Sequence, residues 1–168
     1  MAYISWNGPA PTTAAQVSVA VANGVKTMLQ LSTPATRQMR LIAWGYSIDV
    51  APVAAGTVEL LQTDVAATVT AHAASGLINL DPNGTASLLT LGVSNTGYTS
   101  SAEGTTTASR VFAARKVPIV AGSTDLTFDY EWMPDARHLV AVSKFLRVRT
   151  TFTATTPTML CYVVWDEV

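Results

Sequence analysis

Charge is scarce in this chain. Of its 168 residues only 12% are Asp, Glu, Lys or Arg, the hydrophobic share is 49%, and the formal net charge is −1. Soluble proteins ordinarily carry about twice that charged fraction. The balance excludes a nucleic-acid binder that works through a clustered basic face. It also removes the strongly charged surface that keeps a monomer apart from its neighbours. Part of the surface is therefore expected to be covered, by self-association or by docking on a larger assembly.

Other features are missing too. Cys161 is the single cysteine, so no disulfide framework can form within one chain. It sits in an apolar run without a basic neighbour in sequence, which points to a small buried side chain and not a reactive thiol. No apolar run approaches the length of a membrane span, and no membrane partner is expected. The opening "MAYISWNGPAPTTAAQ" lacks a basic n-region and a continuous apolar stretch, so it does not read as a signal peptide, and synthesis in a cytosol is expected. There is no GxSxG elbow, and the glycines stand singly at turns instead of forming a P-loop or Rossmann pattern. "DPNGTAS" lacks the later carboxylate of an EF-hand. His72 and His138 have no partner at a metal-ligand spacing; Asp135, three residues before His138, is the nearest approach. No catalytic residue, metal or cofactor is expected.

What is present is strand chemistry: Val, Thr, Ala, Leu and aromatic residues, punctuated by Gly, Pro and Asn. In "LIAWGYSIDV", Ile42, Trp44, Tyr46, Ile48 and Val50 share one face at period two. "QVSVAVA", "KTMLQLS", "GTVELLQT", "SRVFAAR", "KFLRVRTTFT" and "MLCYVVWDE" follow the same rule. Asn23-Gly24 reads as a tight hairpin, and Asp81-Pro82-Asn83-Gly84 as a second turn. Sequential antiparallel strands with apolar faces predict an all-β, two-sheet sandwich with jelly-roll or related Greek-key topology. Residues 1–15, rich in proline and without a clear strand, read as an extended N-terminal arm, and residues 16–168 as a single sandwich domain. Deleting Met1 to Thr13 is on this reading expected to leave folding intact and to abolish attachment to a partner. Tyr3, Trp6, Pro9 and Pro11 are the partner-binding candidates on the arm, with Trp6 as the anchor. Trp44 and Trp132 are expected in the core, whereas Trp6 and Trp165 are open to either role.

"TDLTFDYEWMPD" is the cleanest alternation. Leu126, Phe128, Tyr130 and Trp132 fall on one face, and Asp125, Asp129 and Glu131 on the other. Carboxylates two apart on one strand are poorly placed for glycoside hydrolysis, which needs them facing across a cleft. Arg147 and Arg149 in "FLRVRT" share the two-residue spacing. Antiparallel pairing of the two strands would set Asp129 and Glu131 against Arg147 and Arg149, worth about 0.2–1 kcal/mol per pair and more as a register device.

The opening segment, "RLIAWGYSID", "LGVSNTGYTSSAEGT", "VAVSKFLRVRTT" and "CYVVWDE" together resemble small virion proteins of tailed bacteriophages, particularly those of actinobacterial hosts. The resemblance implies a capsid decoration (cement) or minor capsid protein: a β-sandwich, often a homotrimer, seated on the outside of the major capsid protein lattice. It implies virion localisation after assembly in the host cytoplasm, and no catalytic residues. A sandwich recognising host-surface carbohydrate, with Tyr98 and Trp132 at one loop end, is the alternative. A hydrolase using Asp129 or Glu131 is a third reading.

Overall fold

The computed structural model describes residues 1–50, 52–105, 109–119, 126–153 and 157–168. Asp125, Gly122 and part of the Ser/Thr-rich loop (Thr106 and Thr107) lie outside the described residues. Among the described residues, helix is confined to two single 3₁₀ turns, Ala74–Gly76 and Pro134–Ala136.

One sheet is built from β1 (Ala2–Trp6), β4 (Met39–Ile48), β7 (Ile78–Asn79), β10 (Leu126–Glu131) and β13 (Thr158–Glu167), in the order β10-β4-β13-β1-β7. The short β2 (Val19–Ala20) lies beside β13, and β11 (Leu139–Val140) beside β4. The second layer contains two three-stranded ribbons. One is β12 (Phe145–Phe152), β5 (Gly56–Thr63) and β9 (Ser109–Val117); the other is β3 (Gly24–Ser32), β8 (Gly97–Ala102) and β6 (Thr68–Ala71). The ribbons meet along β12 and β3. The Thr33 N–H donates to the Lys144 carbonyl at 2.9 Å, and the Thr150 hydroxyl donates to the Lys26 carbonyl at 3.2 Å. Rising numbers on one strand meet falling numbers on the other, so the contact is antiparallel.

The path identifies the topology. Successive long strands cross between layers: β3 to β4, β4 to β5, β9 to β10, and β12 to β13. The neighbours form nested antiparallel pairs, β5 with β9, β4 with β10, β3 with β12 and β1 with β13. A long hairpin rolled across two sheets gives this arrangement, which is a jelly roll. The all-β two-sheet sandwich read from the alternation is the architecture observed.

Both layers supply the core. Trp44, Ile48, Cys161 and Trp165 come from the first sheet, and Leu31, Leu60, Val148 and Phe152 from the second; all are fully buried. In β12, Leu146, Val148, Thr150 and Phe152 point inward. In β4 a bulge opposite Val164 and Trp165 interrupts the alternation at Ile42, while Trp44, Tyr46 and Ile48 face the core. Val50 lies beyond the strand end and is exposed.

Two expectations are corrected. The first residues are not an arm: Ala2–Trp6 is a strand held between β13 and β7, and the sandwich begins there instead of at residue 16. Only the loop that follows, carrying exposed Pro9 and Pro11, has the solvated character expected of the whole segment. Asn23-Gly24 does turn the chain, with Gly24 at φ +97° where an L side chain would be strained. It does not close a hairpin, because β2 pairs with β13 and β3 belongs to the other layer.

Candidate functional site

Antiparallel sandwich sheets usually show water a polar outer face. The β10-β4-β13-β1 sheet does not. Register places its outward residues in rows across four strands. One row runs Trp6, Tyr162, Gly45, Asp129, and the next Ile4, Val164, Ala43, Glu131. Leu160, Ser47 and Thr127 continue the pattern from β13 to β10. The centre of the face is thus apolar and half-buried (Ile4, Trp6, Leu160, Tyr162, Val164), and its β10 margin is acidic.

Gly45 shapes this surface. A Cβ there would collide with the Asp129 carboxylate, the Phe128 carbonyl and the Tyr162 ring. Without it, the Tyr162 hydroxyl crosses β4 and donates to Asp129 Oδ1 at 2.7 Å. Burial raises the Tyr162 phenol well above its ordinary value, and the Asp129 hydrogen bond and charge add to it, so the ring stays neutral. Trp6 leans against Tyr162 with centroids 5.0 Å apart. Together with Ser47, Thr127 and Leu160 these side chains border a shallow depression of about 180 Å³.

Of the arm candidates, Trp6 is on this face, and Pro9 and Pro11 are exposed on the loop leaving it. Tyr3 points the other way. It is 3% exposed, stacks on Trp165 at 5.8 Å and donates from its hydroxyl to the Thr85 carbonyl at 3.2 Å, so it cannot be a partner contact.

The expected pairing of Asp129 and Glu131 with Arg147 and Arg149 does not form. β10 pairs with β4 in one layer and β12 with β5 in the other, so the four charges never share a ladder. Arg149 instead meets Glu59, its cross-strand partner on β5, at 2.9 and 3.2 Å. Arg147 is 1% exposed. It donates to the Val65 carbonyl, to the Glu103 carbonyl at 3.2 Å and to the Glu103 carboxylate at 3.5 Å. Burial lowers its pKa, against the opposing pull of Glu103.

Other candidates resolve into structural roles. Cys161 is fully buried, and burial pushes its thiol up, away from thiolate chemistry. His72 is buried, with Nε2 3.2 Å from Ser5 Oγ and 3.1 Å from the Trp6 carbonyl. That geometry has the outline of a nucleophile and base. Ser5 is 0% exposed, however, and its hydroxyl donates to the Gly76 carbonyl at 3.0 Å, so no substrate can reach it. Burial lowers the His72 pKa, and a neutral ring fits its place between β6 and β1. Tyr98 and Trp132, paired in the carbohydrate reading, are not brought together: Tyr98 lies on β8 against His72, and Trp132 follows β10. Among the described residues no three His, Cys, Asp or Glu side chains gather as a metal site.

The apolar outer face was missed as a unit by sequence reasoning. Its signal was present in β13, where Leu160, Tyr162 and Val164 alternate with the equally apolar Met159, Cys161, Val163 and Trp165. A strand apolar on both sides is one covered on both sides. No protein-family model matches the chain, and no curated protein is similar to it.

Proposed function

We propose that this chain is a non-enzymatic structural protein of a virion, a capsid decoration protein that sits on the outside of the major capsid lattice and stabilises the shell. The observation that supports this reading is the outer face of the β10-β4-β13-β1 sheet, with Trp6, Tyr162, Ile4, Val164 and Leu160 in register. Such a face suits a flat protein surface that is apolar at its centre and basic opposite Asp129 and Glu131. Aromatic anchors of this kind dominate interface energetics. The contact need be only modest per subunit, because a lattice repeats it and a homotrimer would engage three sites at once. The attachment surface is therefore the sheet itself, and not an arm.

Cosedimentation with capsids that lack the protein tests this. The wild type is expected to bind, and Trp6→Ala and Leu160→Asp are each expected to weaken binding about tenfold or more with thermal unfolding still cooperative. Failure of the wild type to bind, or wild-type binding by both variants, would sink the proposal.

A further inference from the structure

The sandwich is open along the edge where β9 and β10 face each other across the two layers. β10 sends large rings inward, whereas β9 opposes them between Phe112 and Arg115 with only Ala113 and Ala114, and the 3₁₀ turn after β10 adds Ala136. Small side chains cannot fill the space opposite large ones, and a groove of about 460 Å³ remains. That volume is within the usual range of small-ligand sites, roughly 300–1,000 Å³.

Its lining is ordered. Phe128 and Tyr130 stand two apart on β10 with ring planes 4° apart and centroids separated by 6.5 Å, forming a flat two-ring platform. Trp132 meets Tyr130 edge-on at 82° and 5.2 Å and walls off one end. Beyond it His138 packs on Trp132 at 5.7 Å and on Phe112 at 5.5 Å. The Arg115 guanidinium lies over Phe128, 4.6 Å from the ring centroid. It has neither a carboxylate partner nor a hydrogen bond among the described residues. Half of the platform is thus capped by the Arg115 cation, and the other half, Tyr130, is 43% exposed.

We infer that this groove binds an acidic saccharide, a pyranose unit bearing a carboxylate. The apolar face of the sugar ring lies on Tyr130 against the Trp132 wall, and the carboxylate takes the planar donor fork of Arg115. A single-stranded nucleic acid would also stack on aromatic rings, but it needs a run of cations for successive phosphates. Here the outward side of the same strand carries Asp129 and Glu131, which repel a polyanion. The site is on a different surface from the bare sheet face and does not depend on capsid docking.

Titration with galacturonate and with sialyllactose, each carrying one carboxylate, followed by calorimetry and by tryptophan emission, tests the assignment, with lactose as the neutral control. At least one acidic probe is expected to bind saturably, about tenfold more tightly than lactose. Arg115→Gln and Tyr130→Ala, both at exposed positions, are expected to weaken that binding about tenfold with the near-ultraviolet dichroism unchanged. No saturable binding of either acidic probe overturns the inference, as does lactose binding equally well or both variants binding like the wild type. Tight groove-dependent binding of an oligothymidine, or self-association abolished by Arg115→Gln, overturns it in favour of another occupant.

Discussion

The two layers of the sandwich differ in what covers their outer faces. Over β12 and β3, the chain covers itself. Gln30 holds the Ala67 backbone from both sides, donating to its carbonyl at 3.2 Å and accepting from its N–H at 2.8 Å, and also donates to the Asn95 carbonyl at 2.6 Å. Arg147 holds Val65 and Glu103, and Glu103 in turn accepts from the Thr27 N–H and hydroxyl, each at 2.6 Å. Polar side chains are buried there because loops satisfy them. Over β1, β13 and β4 no such loops are seen among the described residues, yet the half-buried outward side chains are Ile, Leu, Val, Tyr and Trp. The layer that needs no partner carries buried polar anchors, and the layer left open carries apolar ones.

The largest expected effect concerns β1, the strand that flanks β13 on the bare face. Deleting Met1 to Thr13 removes β1, with its ladder to β13 and the Tyr3 and Asn7 anchors beneath. Asn7 donates to the Met159 carbonyl at 3.0 Å and accepts from the Cys161 N–H at 2.7 Å, so β13 loses partners at both levels. The truncated chain is expected to show no cooperative thermal transition by circular dichroism. A stably folded truncation would mean that the bare face is dispensable to the fold and β1 only a tether.

Next come single substitutions on the two faces. Arg147→Ala strands a buried acceptor cluster and part of a carboxylate, with an expected cost of about 3–5 kcal/mol by chemical denaturation. Trp6→Ala removes a half-buried ring from a solvated face and is expected to cost less than half of that. Equal costs would erase the contrast between a face built for stability and one left for contact. Gly45→Ala probes the bare face from beneath. Its methyl group has to displace Asp129 and Tyr162, and the expected loss is about 1–3 kcal/mol, the usual range for overpacking.

Much of the architecture was legible because β10 and β12 alternate apolar and polar residues in sequence. β1 was not. Its inward residues are Tyr3 and Ser5, and its outward ones Ala2, Ile4 and Trp6, so the apolar signal points away from the core. Only partners far along the chain, the Gly76 carbonyl and His72, make a buried Ser5 tolerable. The charge pairing failed for a related reason. Arg149 did find a cross-strand carboxylate, but both Glu59 and Glu131 lie on strands and only the crossing of layers chooses between them. The aromatic row of β10 was legible as an inward face. That it borders a groove was not, because the groove arises from alanines on β9, which are small for no reason visible in β10.

The smallest expected effect is at the corner where the bare face ends. Asp166 accepts from Arg40 and from the Met1 amino group, the latter at 3.1 Å. Burial alone would raise its carboxyl, but the hydrogen bonds from Arg40 and Met1 and their charges outweigh burial, and the net shift is downward. A carboxyl whose folded pKa lies below its unfolded value favours the native state only where it is ionised. Its contribution is therefore complete above the unfolded value, about 3.9 for Asp, and is lost as pH falls through the lower folded value. Asp166→Asn is expected to lower stability slightly at pH 7 and to flatten the acid limb of the stability curve below about pH 4. An unchanged acid limb in the variant would show that Asp166 merely borders the bare face, and that the contact between β13 and the start of β4 holds without its charge.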